Sequence, residues 1–152
     1  MRRFSRIFAW TTLFFVAGAV LFFTKAAALP YKVAWPVLLL PLATFLSRRR
    51  ELLPFGFAFL FSAAGDAVGA RGLFIPQMAF FALAHAAYVC WFLPRARRRL
   101  RAVSLAVTVP LLVFLFAAIV PEAPFPAERI GVAVYGLVIA AMLYSALQYD
   151  GA

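Results

Sequence analysis

Residues 59 to 92 read FLFSAAGDAVGARGLFIPQMAFFALAHAAYVCWF. Two apolar runs meet at Arg71-Gly72, and a glycine beside a cation at that place predicts a short turn between two helices. The first run carries Asp66, the only acid inside any apolar run. The second carries His85, the only histidine of the chain, and Tyr88. An acid deep in hydrocarbon costs about 2.5–3.5 kcal/mol on insertion scales, so polar groups there need a partner or a task. This hairpin is therefore where function is expected.

The whole chain has the same character. Of 152 residues, 66% are hydrophobic, and the mean hydropathy is +0.97. Soluble domains hold about 45–50% apolar residues, so the composition excludes an ordinary soluble fold. The expected fold class is all-α: a polytopic transmembrane helix bundle, one domain over residues 1–152. The formal net charge of +10 would suggest nucleic acid in a soluble protein. Here the cations sit in short blocks between apolar runs, so they read as topology signals and no nucleic-acid partner is expected. Cys90 stands alone and forms no intramolecular disulfide; it reads as a small buried hydrophobe.

Six spans follow in order. Arg2, Arg3 and Arg6 precede an apolar run from Ile7 to about Phe23. The Ala26-Ala27-Ala28 that follows resembles a signal-peptide cleavage site, but the run is near the ~17-residue minimum for crossing a bilayer and reads as an uncleaved first helix. Trp35 to Leu46 is the second span, with Pro36 in its first turn and Pro41 set to kink it. Leu53 to Ala70 is the third and Leu73 to Pro94 the fourth. Ala102 to Val120 is the fifth, Pro121 to Arg129 a proline-rich loop, and Ile130 to Gln148 the sixth. With the N-terminus inside, eleven Lys and Arg fall on the cytoplasmic side and four on the other. That bias places both termini in the cytoplasm, and a cell (inner) membrane is the expected location.

The chemistry-bearing residues cluster on two faces. Ser62, Asp66 and Gly69 share one face of the third span, at i−4, i and i+3. Gly65 and Gly69 form a G-x-x-x-G pair that admits close approach of another helix. His85 and Tyr88 stand at i and i+3 on the fourth span, with Phe81 and Gln77 continuing that face toward the turn. Asp66 lies roughly 6 Å and His85 roughly 15 Å from the turn side at 1.5 Å per residue, so straight helices do not join them directly. A water or a head group fits between them. Asp66 and His85 are the candidate catalytic groups, and Ser62, Tyr88, Gly65 and Gly69 are supporting or substrate-binding positions. No H-E-x-x-H, paired Cys/His spacing or G-x-S-x-G elbow is present, so no metal or serine nucleophile is expected.

These residues resemble the YhhN-like family, the lysoplasmalogenases. The family pattern of Phe-Ser-x-x-Gly-Asp followed by His-x-x-Tyr is matched by Phe61-Ser62-Ala63-Ala64-Gly65-Asp66 and His85-Ala86-Ala87-Tyr88. Tyr135, Met142 and Ala146 on the sixth span also resemble the family. A Lys-Pro dipeptide usually opens the second helix; here Trp35-Pro36 stands, with Lys32 nearby. The resemblance implies an integral membrane hydrolase of about eight helices, without a cofactor, that cleaves the vinyl ether bond of lysoplasmalogens. Its partners are then the bilayer and a lysophospholipid-type substrate. The family's second acid lies in a Ser-Asp pair on a helix beginning Gly-Ala, and this sequence stops at Gly151-Ala152. The expectation is a C-terminally shortened member lacking that acid, with turnover sharply lowered or lost. Two other readings stay open: a non-catalytic membrane protein held by the same polar contacts, and a small transporter or proton relay using Asp66 and His85.

Overall fold

The computed structural model describes residues 50–149 continuously, together with Ala9, Trp10, Thr12, Leu13, Val16, Ala17, Val20, Pro41, Thr44 and Phe45. Four helices within 50–149 are long and apolar enough to cross a membrane. We name their α-helical parts α1 (Leu53–Gly69), α2 (Phe74–Phe92), α3 (Arg101–Phe114) and α4 (Pro126–Leu147). They correspond to the third to sixth expected spans. The first two expected spans lie largely outside the described residues, as do Asp150 and the chain end. Among the described residues there is no strand, only an isolated antiparallel bridge between Ala96 and Tyr149.

Local chemistry sets the helix ends. Pro54 occupies the first turn of α1, where the N–H it lacks would have no helical partner. The turn to α2 closes through Arg71 N–H to Val68 O at 3.0 Å and Gly72 N–H to Gly69 O at 2.9 Å. Gly72 has φ +73°, and a Cβ there would meet nothing within 4 Å. The demand for glycine is therefore conformational. Gly72→Ala should lower the stability of the hairpin by about 1–2 kcal/mol, the cost of the left-handed region for an L-residue. A melting curve in detergent unchanged by Gly72→Ala would show that the turn relaxes instead.

Two expectations need correction. The segment Pro121 to Arg129 is not a loop throughout, because α4 begins at Pro126 and leaves only Ala123 to Phe125 between helical turns. Phe125 is extended, as a residue before proline prefers, and Pro126 and Glu128 fill a first turn suited to fixed φ and negative charge. Cys90 is exposed rather than buried, because the face of α2 turned toward α1 carries Gln77, Phe81, Tyr88 and Trp91. The fifth span also changes pitch. α3 holds Pro110 and passes into a π-helical turn at Leu115–Ile119 and a 3-10 turn at Val120–Glu122.

α2 is the centre of the described bundle, packing on α1 and on α4, while α3 packs on α4. The α1–α2 pair is antiparallel. A Cβ on Gly65 would stand 3.1 Å from the Phe81 ring, and one on Gly69 would collide with the Gln77 amide. Toward the other end Phe55 meets Tyr88 at 5.5 Å and Trp91 at 4.8 Å between ring centroids. α2 and α4 run parallel, with Met78 against Gly131 near one end and Trp91 against Tyr149 near the other. Thr44 and Phe45, from the second expected span, pack on Gly56 of α1, and Phe45 also meets Phe57 edge-on at 5.6 Å.

Candidate functional site

The glycine contacts fix the depth of every site residue. Gly69 faces Gln77 and Gly65 faces Phe81, so in this register Asp66 is level with Phe80 and Ser62 with Ala84. His85 lies five residues beyond Phe80, about 7.5 Å along the axis at 1.5 Å per residue. Phe61 and Ser62 are thus the α1 residues nearest the height of His85, while Asp66 sits nearer the Arg71-Gly72 turn. The separation expected from the sequence holds, and no hydrogen bond joins Asp66 to His85 among the described residues.

Side-chain direction narrows that gap. In a helix each Cα–Cβ bond tilts toward the N-terminus. Asp66 lies close to the C-terminal end of α1, so its Cα–Cβ bond leans away from the turn. His85 lies beyond the middle of α2 and leans back toward the turn. The ring shows this lean directly, because its Nδ1 stands 2.7 Å from the Phe81 carbonyl oxygen, one turn toward the N-terminus. Along the axis the two Cα–Cβ bonds therefore lean toward each other. Asp66, Ser62, His85 and Tyr88 are all half-buried.

The Phe81 contact also sets the histidine's chemistry. A carbonyl oxygen only accepts, so Nδ1 is the nitrogen that carries the proton. In the neutral ring Nε2 then keeps a lone pair and serves as an acceptor. Phe81 thus touches Gly65 of α1 with its ring and His85 with its backbone, coupling the packing of the hairpin to the orientation of the imidazole.

α4 adds a residue that sequence spacing did not place in the site. Tyr135 lies edge-on to His85 at 5.6 Å, and Tyr88 flanks the same ring at 6.3 Å. Tyr88 in turn meets Phe55 and Phe59 of α1. The imidazole is held between two tyrosines from two helices. The only sequence signal for Tyr135 was its place on the sixth span in the family pattern; its contact with His85 depends on the α2–α4 register. Gly65 and Gly69 act as packing positions, since both are covered by α2 side chains. Among the described residues, no three His, Cys, Asp or Glu side chains gather into a group able to hold a metal ion.

An all-helical bundle of apolar spans defines a multi-pass membrane protein. The YhhN family profile matches residues 27–151, which include all four described helices, and the chain belongs to the YhhN family. No curated protein and no solved structure matches it.

Proposed function

We propose that this protein is a lysoplasmalogenase-like membrane hydrolase, cleaving the vinyl ether of a lysophospholipid to a fatty aldehyde and a glycerophospho-alcohol. The feature that supports this reading is the placement of Asp66 and His85 on adjoining antiparallel helices, with Cα–Cβ bonds that lean toward each other along the axis. Vinyl ether hydrolysis needs a proton donor at the alkene carbon and an acceptor for the proton of the attacking water. Asp66 in its neutral form gives its proton to the alkene carbon distal to the ether oxygen, leaving an oxocarbenium carbon attached to that oxygen. Water adds to this carbon and passes its proton to Nε2 of His85. The hemiacetal then collapses: its hydroxyl proton passes to the Asp66 carboxylate as the C–O bond to glycerol breaks, and protonated His85 gives its proton to the departing glyceryl oxygen, so both residues return to their starting states. Only water is consumed.

The surroundings suit these roles. Tyr88 and Tyr135 present ring surface around His85, and aromatic faces attract cations such as the oxocarbenium. Family membership agrees with the reading. The test is release of fatty aldehyde from a 1-alkenyl lysophospholipid by membranes containing the chain, against membranes without it. No aldehyde above the control would favour the non-catalytic reading. Release of the 1-alkyl analogue's chain would point to a different reaction, because a saturated ether has no alkene to protonate.

The cytoplasmic location of the arginine block is part of the same proposal and has its own test. A reporter inserted after Arg99 should report cytoplasm, and one inserted after Gly72 the opposite side, as the charge bias requires. The reverse pair would invert the bundle.

A further inference from the structure

We propose that the loop from Leu93 to Arg101 is a binding site for the phosphate of an anionic phospholipid, clamped by Arg98 and Arg101. The segment LPRARRRLR carries five arginines and no acid, and all five are exposed. It joins two helices able to cross a bilayer, which puts it at the depth of lipid head groups. The site is independent of Asp66 and His85, lying at the opposite end of the α1–α2 hairpin from the Arg71-Gly72 turn.

The loop is held in place. Arg97 N–H donates to the Gln148 carbonyl at 2.9 Å, and Ala96 bridges Tyr149, so the end of α4 fixes its middle. Gln148 is itself buried and donates through Nε2 to Tyr144 O at 3.1 Å. Arg95 donates to the Trp91 carbonyl at 2.7 Å, with its guanidinium 4.5 Å from the Trp91 ring centroid. The Trp91 ring packs on Phe55 and Tyr149. The charge of this segment is thus presented on an ordered frame.

The placement of Arg98 and Arg101 follows from the backbone. Residues 98 to 100 form a 3-10 turn, and Arg101 N–H bonds back to Arg98 O. In such a turn side chains at i and i+3 eclipse, here about 6 Å apart along the axis at a rise of 2.0 Å. Two guanidinium forks on one face can each offer paired N–H donors to phosphate oxygens. The same side of the helix continues through Leu105 and Val109, one turn apart and exposed. A charged clamp followed by an apolar track matches a phosphate followed by an acyl chain, which is why a lipid is favoured over a soluble phosphate.

Lysine and arginine count alike for topology but not for a bidentate clamp, and this difference provides the test. The full chain, purified in a neutral detergent, is titrated with phosphatidylglycerol, phosphatidylcholine or glycerol 3-phosphate and followed by native mass spectrometry. The unmodified chain should retain phosphatidylglycerol about tenfold more tightly than phosphatidylcholine and should not bind glycerol 3-phosphate detectably. The R98K/R101K variant should lose about that tenfold preference while melting at the same temperature without lipid. Equal retention of the two lipids, or an unchanged preference in R98K/R101K, would overturn the clamp. Glycerol 3-phosphate bound as tightly as phosphatidylglycerol would overturn the lipid.

Discussion

Asp66→Asn is expected to leave the bundle assembled and to lower aldehyde release by about a hundredfold to ten-thousandfold, the usual contribution of a positioned general acid. The amide is nearly isosteric with the carboxyl and carries no charge to bury, so the α1–α2 packing built on Gly65 and Gly69 should survive. An amide has no proton acidic enough for an alkene carbon, so the first step should fail. The loss should appear in kcat, with KM little changed, because an interaction needed only in the transition state is removed. Asp66→Asn with ordinary aldehyde release and an unchanged melting curve would remove Asp66 from the mechanism. His85→Gln should cost less, since water that has added to the oxocarbenium can still lose its proton to other acceptors. If His85→Gln were the more damaging of the two, the proposed division of roles would be reversed.

Much of the helical frame around the candidate residues was legible in the sequence, and the reasons are particular. α1 and α2 fall within about two residues of the spans read from the sequence, because strong signals bound them: Pro54, Arg71-Gly72 and Pro94. The axial offset between Asp66 and His85 was also readable, since helical rise converts residue counts into depth. Three features were not. The start of α4 was misplaced because Pro121, Pro124 and Pro126 look alike in sequence, although only Pro126 is followed by a helix long enough to use its fixed φ. The π-helical turn at Leu115–Ile119 carries no breaker, so nothing in LFAAI marks a change of pitch. The contact of Tyr135 with His85 needs the relative height of two helices that are not neighbours in the chain. Residue types and spacing report on one helix at a time; register between helices comes from packing.

That dependence on packing leads to the largest expected effect on stability. Gly65 is buried, and its Cβ position lies 3.1 Å from Cε1 of Phe81. Alanine there requires the ring to yield by only a few tenths of an ångström. Leucine adds three more carbons in the direction of a rigid ring, and overpacking of this kind costs about 1–3 kcal/mol. Gly65→Leu should therefore lower the melting temperature in detergent and the yield of monodisperse protein more than Gly65→Ala. It should also exceed Gly69→Leu, although the Gly69 position is the more crowded of the two. The Gln77 amide that blocks Gly69 is the end of a flexible side chain beside the turn and can swing away, whereas the Phe81 ring is held between α1 and its own helix. The cause can be isolated by pairing Gly65→Leu with Phe81→Ala, which removes the obstructing ring and keeps the backbone carbonyl that orients His85. The pair should recover part of the stability lost by Gly65→Leu alone, a coupling that distant, independent sites do not show. If the two losses simply add, the α1–α2 contact does not set the register, and the depths assigned to Asp66 and His85 lose their foundation.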